Sequence, residues 1–383
     1  MKEIKLAYPP AGPNVFKRML DRVPSGEPGE VFKVFDKRGE FFGYAFYNPK
    51  SNIVLRIFSR EARERFGIKE FLSEKLSRAA ELRRTLALPR EDTNAYRLVH
   101  DYGDGLPGLT VDVYNKEIVA EFYSIGFFRL REELKAVLLS LYPGFSVHFR
   151  ASSYTQKMEG FALEDEIEHK KTRVKENGAV FEVNLSSGYK TGFFCDQREN
   201  RLYFSRFAAG KSVLDICSYT GGFGIYAKKL GGAEEVTCVE LDPEADEQAK
   251  RNANLNSVRI NNICADAFTY MRQMLALDRR YGLVALDPHK LITSRDEKAE
   301  GVIKYKDFNK LALHLVEEGG LFATCSCSGL LSMEEFSEVL RYAASVSRRK
   351  VQIFKRSGAG EDHPFTANYM EGEYLKTIWA KVF

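Results

Sequence analysis

The sequence predicts an α/β protein. Its C-terminal half reads as a doubly wound, Rossmann-like parallel sheet, preceded by a small β-barrel and a small central α+β domain. Three observations lead there. From about residue 179, short apolar runs alternate strictly with helix-like segments, which calls for a parallel sheet with helices on both faces. Before about residue 65, three short strands alternate apolar and polar residues at barrel-like spacing. The length of 383 residues exceeds one domain at roughly 150 residues each. The expected boundaries are 1–68, 69–178 and 179–383.

In the first region, EVFKVFD (30–36) and FFGYAFYN (41–48) flank the turn Asp36-Lys37-Arg38-Gly39, and NIVLRIFS (52–59) follows the turn-prone NPKS. Residues 66–92 are helix-like and rich in charge. The central region has strand-like LTVDVYN and IVAEFYS, a helix at 129–141 and SVHFRA. It closes on the basic HKKTRVKENG (169–178), expected to be an exposed turn. In the third region the strands are SVLDIC (212–217), EVTCVEL (235–241), NNICAD (261–266), YGLVALDP (281–288) and GLFATCSC (320–327). Helices are expected from 221, at 243–256 with Pro243 in the first turn, to about 278, at 304–316 and at 332–347. VQIFKR and LKTIWAKVF finish the chain.

Lys plus Arg is 57 against 53 Asp plus Glu, a net charge of +4. That permits a nucleic-acid partner without demanding one. Hydrophobic residues at 44% and charged residues at 29% fit a soluble globular chain rather than a disordered one. No apolar run approaches the ~18 residues of a spanning helix, so no membrane association is expected. The start, MKEIKLAYPP, lacks a signal-peptide apolar region, so the expected location is cytoplasmic. Six cysteines without a CxxC pair suggest neither a disulfide framework nor a metal site.

Ligands of such sheets bind at the carboxyl ends of the strands. The first strand of the sheet leads into Asp215, Ser218, Tyr219, Thr220, Gly221 and Gly222. Paired glycines let the backbone approach a ligand and open a helix N-terminus toward it. The G-x-G-x-x-A string here is weak evidence for a dinucleotide, because Asp215 lies six residues before Gly221 and a dinucleotide loop places its first glycine directly after the strand. Glu240, followed by Leu241, ends the second strand and suits ribose hydroxyls. Asp266, followed by Ala267, ends the third and suits an adenine amino group. Carboxylates at successive strand ends repel a pyrophosphate and suit a cationic sulfonium nucleoside, which points to S-adenosylmethionine. The plainer reading is that these acids are solvated strand ends.

The fourth strand ends in Asp287-Pro288-His289-Lys290. Class I methyltransferases use a D/N-P-P-x motif at this position to hold the amino group of an acceptor base. The next strand ends in ATCSCSG (323–329). A thiolate beside a methyl donor suits cytosine: addition to carbon 6 turns carbon 5 into a nucleophile. Such a thiol needs an electropositive, partly exposed setting. Most strand cysteines are small buried hydrophobes, which is the expectation for Cys238, Cys264 and one of Cys325 and Cys327. Cys327 lies nearer the strand end and is the favoured nucleophile. The spacing leaves Cys325 open, since residues two apart share a face.

Several segments together resemble the ribosomal RNA large-subunit methyltransferase I family. They are YRLVHDYGDGLPGLTVDVY (96–114), GYKTGFFCDQRENR (188–201), VLDICSYTGGFG (213–224), DPHK (287–290), YKDFNKLAL (305–313), SCSGLL (326–331) and DHP…EGEYLK (362–376). The resemblance implies an N-terminal PUA barrel, a class I Rossmann-like methyltransferase domain, S-adenosylmethionine as donor and a cytosine of 23S ribosomal RNA as acceptor. It implies Cys327 as the nucleophile. It further implies a lid over donor and target base formed by Lys190, Thr191, Phe194, Asp196, Gln197 and Arg198. The plainer reading of that stretch is a tight turn with an ion pair from Asp196 to Arg198 or Arg201.

DPHK departs from the family's DPPK. Proline stiffens a loop, and His289 instead adds a titratable group. It is a candidate for the carbon 5 base or a target-base contact, beside the duller reading of a tolerated loop substitution. Candidate phosphate contacts are Lys17, Arg18, Arg56, Arg60, Lys170, Lys171 and Arg173. The target base has to be unstacked. Two other functions fit the same residues: methylation of another base or position without the thiol, and a non-catalytic RNA-binding protein that keeps S-adenosylmethionine. The oligomeric state stays open, a homodimer included.

Overall fold

The computed structural model describes residues 1–164, 170–185 and 192–383. Lys190 and Thr191, expected near the site, lie outside the described residues. Contacts group the chain into two units. The first holds Met1–Val174, Val183–Cys195 and Glu361–Gly372; the second holds Lys175–Glu182, Asp196–Gly360 and Glu373–Phe383.

In the first unit, Lys2–Lys5, Val31–Phe35, Phe41–Tyr47, Ile53–Ser59 and Asn14–Phe16 form a five-stranded sheet in that spatial order. Phe32 and Val34 point inward on the expected period of two. The Asp36 turn closes as its sequence suggests: the carboxylate accepts the Arg38 and Glu40 amides at 2.8 Å, and Gly39 takes φ +85°. A second sheet orders Ala95–His100, Leu109–Tyr114, Glu117–Phe122 and Ser146–Arg150. Tyr44, Phe46 and Phe58 of the first sheet share one core with Phe71 of the helix Ile68–Thr85 and with Leu98 and Phe122 of the second. Residues 1–68 and the stretch that follows thus fold around common apolar side chains.

Two of the phosphate candidates are engaged within this unit. The Arg56 guanidinium donates to the Tyr123 carbonyl at 3.1 Å and faces Glu159 at 3.5 Å. Lys170 pairs with Glu117 at 2.8 Å. Lys17, Arg18 and Arg60 are exposed.

The second unit carries a seven-stranded sheet. Its spatial order is Asn261–Cys264, Glu235–Glu240, Ser212–Ile216, Tyr281–Leu286, Val316–Ser326, Lys376–Val382 and Val351–Ser357. The first five strands are parallel, as the alternation requires. Lys376–Val382 runs antiparallel to both of its neighbours. SVLDIC reads as a continuous apolar run because both faces of its strand are covered. Leu214 and Ile216 meet Val284 and Leu286 on one side, while Val213 meets Phe223, Ala285 and Trp379 on the other. Caps follow the local chemistry: Asp242 caps the helix Pro243–Leu255, and Ser332 with Glu335 forms a capping box for Met333–Ser347.

Two expectations change. The described part of the stretch 169–178, residues 170–178, is no exposed loop: Lys171–Glu176 and Ala179–Asn184 form a hairpin, with the turn at Asn177-Gly178. Alternation puts Val174 and Glu176 inside. Cys264 is exposed, because its strand is the edge of the sheet.

Glu176 has no exposed surface. Its carboxylate accepts two hydrogen bonds from Arg201, at 2.9 and 3.0 Å, and one from the Tyr226 hydroxyl at 2.8 Å. Burial pushes this carboxyl up, and Arg201 opposes the shift. Removing one member of a buried pair strands the other charge. Arg201→Leu is therefore expected to cost about 3–5 kcal/mol in equilibrium denaturant unfolding, and adding Glu176→Gln is expected to recover part of that loss.

Candidate active site

Ser212–Ile216 lies between Glu235–Glu240 and Tyr281–Leu286, so the chain reverses its order along the sheet at this strand. The crevice of a doubly wound sheet opens at such a reversal. Beyond the strand, Cys217, Tyr219 and Gly221 all adopt left-handed backbone, at φ 60°, 49° and 81°. Non-glycine residues there cost roughly 1–2 kcal/mol each. Hydrogen bonds hold the loop against that cost. The Ser218 amide donates to the Val239 carbonyl at 3.0 Å, and the Tyr219 amide donates to Glu240 at 2.7 Å. Gly221 then caps the helix Gly222–Lys229.

Asp215 is wholly buried beneath this loop. One oxygen accepts the Gly224 amide at 2.9 Å, and Oδ1 has no hydrogen-bond partner. Desolvation pushes the carboxyl up to about 7; the Gly224 amide opposes this, and Asp287 and Glu240 add to it. Gly224 has to be glycine, since a Cβ would lie 2.4 Å from the Cys238 sulfur. That is the close helix–strand approach for which such loops use glycine.

The other carboxylates fall around Asp215. Glu240 accepts the amides of Tyr219, Leu241 and Asp242 at 2.7, 2.8 and 3.0 Å, which leaves about one of its four acceptor sites for a ribose hydroxyl. Leu241 is largely exposed, and Ala267 is buried. Asp266 caps the next helix through Thr269 at 2.8 Å, so it has a structural task beside any ligand contact. Asp287 accepts from the Gln197 amide at 2.9 Å, and Gln197 in turn accepts from Asn200 at 2.7 Å. His289 and Lys290 are exposed on the following loop. Burial pushes the Cys217 thiol up, and Glu240, Asp287, Asp215 and Asp266 all push the same way. The strand ends thus concentrate negative charge in one place. That field disfavours a phosphate-rich ligand and fits a sulfonium nucleoside.

Asp196 takes a hydrogen bond from the Tyr374 hydroxyl and holds the Gly360 amide at 2.8 Å through its carbonyl. Arg198 is buried and donates to Glu199 at 2.9 Å, while Arg201 pairs with Glu176. Phe194 belongs to the first unit.

Cys327 follows directly on the strand Val316–Ser326 and is half-buried. Its turn is held from three sides. Ser326 Oγ donates to the Tyr305 hydroxyl at 2.9 Å, and Tyr305 meets Ser328 Oγ at 3.0 Å. The Ile292 amide donates to Ser328 Oγ at 3.2 Å, and Lys376 Nζ donates to the Ser328 carbonyl at 2.7 Å. Cys325 is buried against Thr377 at 3.3 Å, and burial pushes its thiol well up. The residues missed in the sequence are Tyr305, Tyr374 and Lys376. All three lie inside or beside the YKDFNKLAL and EGEYLK segments, whose spacing carries no hint of these contacts.

The raised carboxyl of Asp215 fixes a pH dependence. In the unfolded chain an Asp titrates near ~3.9, while in the fold it titrates at about 7. The native state therefore binds the extra proton between those values, and its stability falls as pH rises through that window. Asp215→Asn is expected to flatten this loss in denaturant unfolding measured from pH 4 to 8.

Residues 12–60 match the family model of a PUA-like domain, and residues 148–338 match that of the S-adenosylmethionine-dependent methyltransferases. Ribosomal RNA large subunit methyltransferase I of Photobacterium profundum is 35% identical over 374 residues, covering 95% of this chain and 94% of its own. The protein of the same name from Tolumonas auensis is 35% identical over 377 residues, covering 96% and 94%. A putative SAM-dependent methyltransferase from Streptococcus mutans has a TM-score of 0.83 at 20% identity over all of both chains. A crystal structure of a putative methyltransferase complexed with SAH gives the same values, and both speak for the fold. No helix among the described residues is long and apolar enough to cross a membrane. S-adenosylmethionine is the cofactor, and the chain belongs to the ribosomal RNA large subunit methyltransferase I family.

Proposed function

We propose that this protein methylates carbon 5 of a cytosine in 23S ribosomal RNA, with Cys327 as the nucleophile. The observation that carries the reading is the contrast between the two thiols. Cys325 is sealed inside the sheet, whereas Cys327 sits just past its end, half-exposed, on a turn tied to the loop after Asp287.

Bound S-adenosylmethionine supplies an electrophilic methyl group. The loop 217–222 and Glu240 would hold it, with Asp215 beneath them. On the acceptor side, Asp287 and the backbone beside it suit the amino group of the base. Cys327 Sγ bonds to carbon 6, and the ring electron pair moves to carbon 5, which can then take a methyl. Loss of the carbon 5 proton to a base returns that pair to the ring and breaks the sulfur–carbon bond. His289, exposed beside Asp287, is our candidate for that base. The PUA-like segment suits structured RNA read by shape and backbone contacts, with Lys17, Arg18 and Arg60 exposed at its surface, Arg60 lying over the Phe42 ring. We also infer a cytoplasmic location, where ribosomal RNA is met.

The test is methyl transfer from labelled S-adenosylmethionine to unmodified ribosomal RNA, with the product mapped. Label is expected on cytosine carbon 5, abolished by Cys327→Ala and largely kept by Cys325→Ala. Transfer that survives Cys327→Ala, or label on another base, overturns the covalent reading. Binding of the donor with no transfer to any RNA overturns the enzymatic one. For His289→Ala the expected result is a slower rate with an altered pH profile; an unchanged rate and profile would remove His289 from the base role.

A further inference from the structure

Lys376 is the first residue of the strand Lys376–Val382 and pairs in register with Ser326. Its side chain is almost entirely buried. Nζ donates to the carbonyl of Ser328 at 2.7 Å and to that of Tyr374 at 2.7 Å. One residue thus grips the chain on both sides of Cys327, by backbone pairing at Ser326 and by side chain at Ser328.

Both of its anchoring partners are neutral carbonyls. A buried ammonium in that position has to find an anion or release its proton. Burial pushes Lys376 down to about 8, close to the ~8.5 of an ordinary thiol. The strongest influence opposing that shift is Cys327, ahead of Glu373 and Glu335. A neutral amine has two N–H bonds and a lone pair. The two carbonyls accept both N–H bonds, so one tetrahedral position remains, a lone pair when neutral and a third N–H when charged.

We propose that Lys376 is a positioning residue that accepts the Cys327 proton and holds the thiolate as its counter-charge. The S–H bond breaks, the proton passes to Nζ, and the electron pair stays on sulfur. The pair keeps its net charge, which makes the transfer feasible in a half-buried place. As a catalytic device the pairing rests on Cys327 being the nucleophile.

Other groups face this pair. Asp287, Cys325 and the Tyr305 hydroxyl lie around the strand end. Glu335 opens the helix Met333–Ser347 and is tied to Lys298 at 2.6 Å. Glu373 precedes Tyr374, and Lys290 lies on the loop after Asp287. The carboxylates disfavour a thiolate. Lys290 favours it but is exposed, where solvent and salt screen it. Of these groups, all among the described residues, Lys376 is a buried cation.

The test is the rate of iodoacetamide alkylation at Cys327 against pH, read by peptide mass spectrometry on the full-length protein, with exposed Cys264 as internal reagent standard. In the unsubstituted protein the inflection is expected below about 8.5. Lys376→Gln is expected to raise it by about one unit and slow alkylation at pH 7 about tenfold. Lys376→Arg keeps a cation there and is expected to restore most of the neutral-pH rate. An inflection at or above about 8.5 in the unsubstituted protein overturns the proposal, whether or not the variants fold. So does a Lys376→Gln profile that superimposes on the original in a protein that still binds S-adenosylmethionine. Methyl transfer by Cys327→Ala tests the nucleophile separately, so failure of either idea is visible without the other.

Discussion

Beneath the loop after Ser212–Ile216, the Asp215 carboxylate is shut away from water with the Gly224 amide and the Cys238 thiol as its partners. The Gly224 contact fixes where the helix Gly222–Lys229 begins relative to the strand. The chain between them has to turn tightly, which puts Cys217, Tyr219 and Gly221 in left-handed backbone. The helix has to approach closely, which bars a side chain at Gly224. The open amides of the helix N-terminus then face the crevice. Burial of an acid here also sets the electrostatics, since Asp287 and Glu240 reinforce the upward shift of Asp215. A site built on such a base favours a cation and leaves a pyrophosphate unwelcome.

Around Cys327 the hydrogen bonds run largely between hydroxyls and backbone groups. Two serines flank Cys327, and the Tyr305 hydroxyl binds both. Ser328 also catches the Ile292 amide, which joins the turn of Cys327 to the chain beyond Asp287. Gln197 completes the link by donating to Asp287 while held by Asn200. Asp287 and the turn of Cys327 are thus tied to the same stretch of chain, and the serines of Ser-Cys-Ser act as the fastening of the turn that presents the cysteine.

Most of the sheet was legible because its signals are local. Alternating apolar runs and Pro243 in a first turn each depend on neighbours a few residues away. The loop of Asp215, Gly221 and Gly222 was legible for the same reason, as were the acids at the strand ends. The errors concern environment. Cys264 looks like a core residue along the sequence, yet its strand is the sheet edge. HKKTRVKENG looks like a solvated loop, yet Glu176 within it is buried on Arg201. Arg56 looks available for phosphate, yet a backbone carbonyl and Glu159 occupy it.

From the sequence alone came the strand–helix alternation of the C-terminal sheet, the family and the pair of neighbouring cysteines, Cys325 and Cys327. These rest on periodicity, turn chemistry and motif, which the chain carries in itself. The tertiary structure decided which sulfur is sealed and which is half-open, which carboxylates crowd together, and that Lys376, far along the chain, closes over the turn holding Cys327. Burial and charge proximity arise between segments distant in sequence, so only the assembled sheet brings them into being.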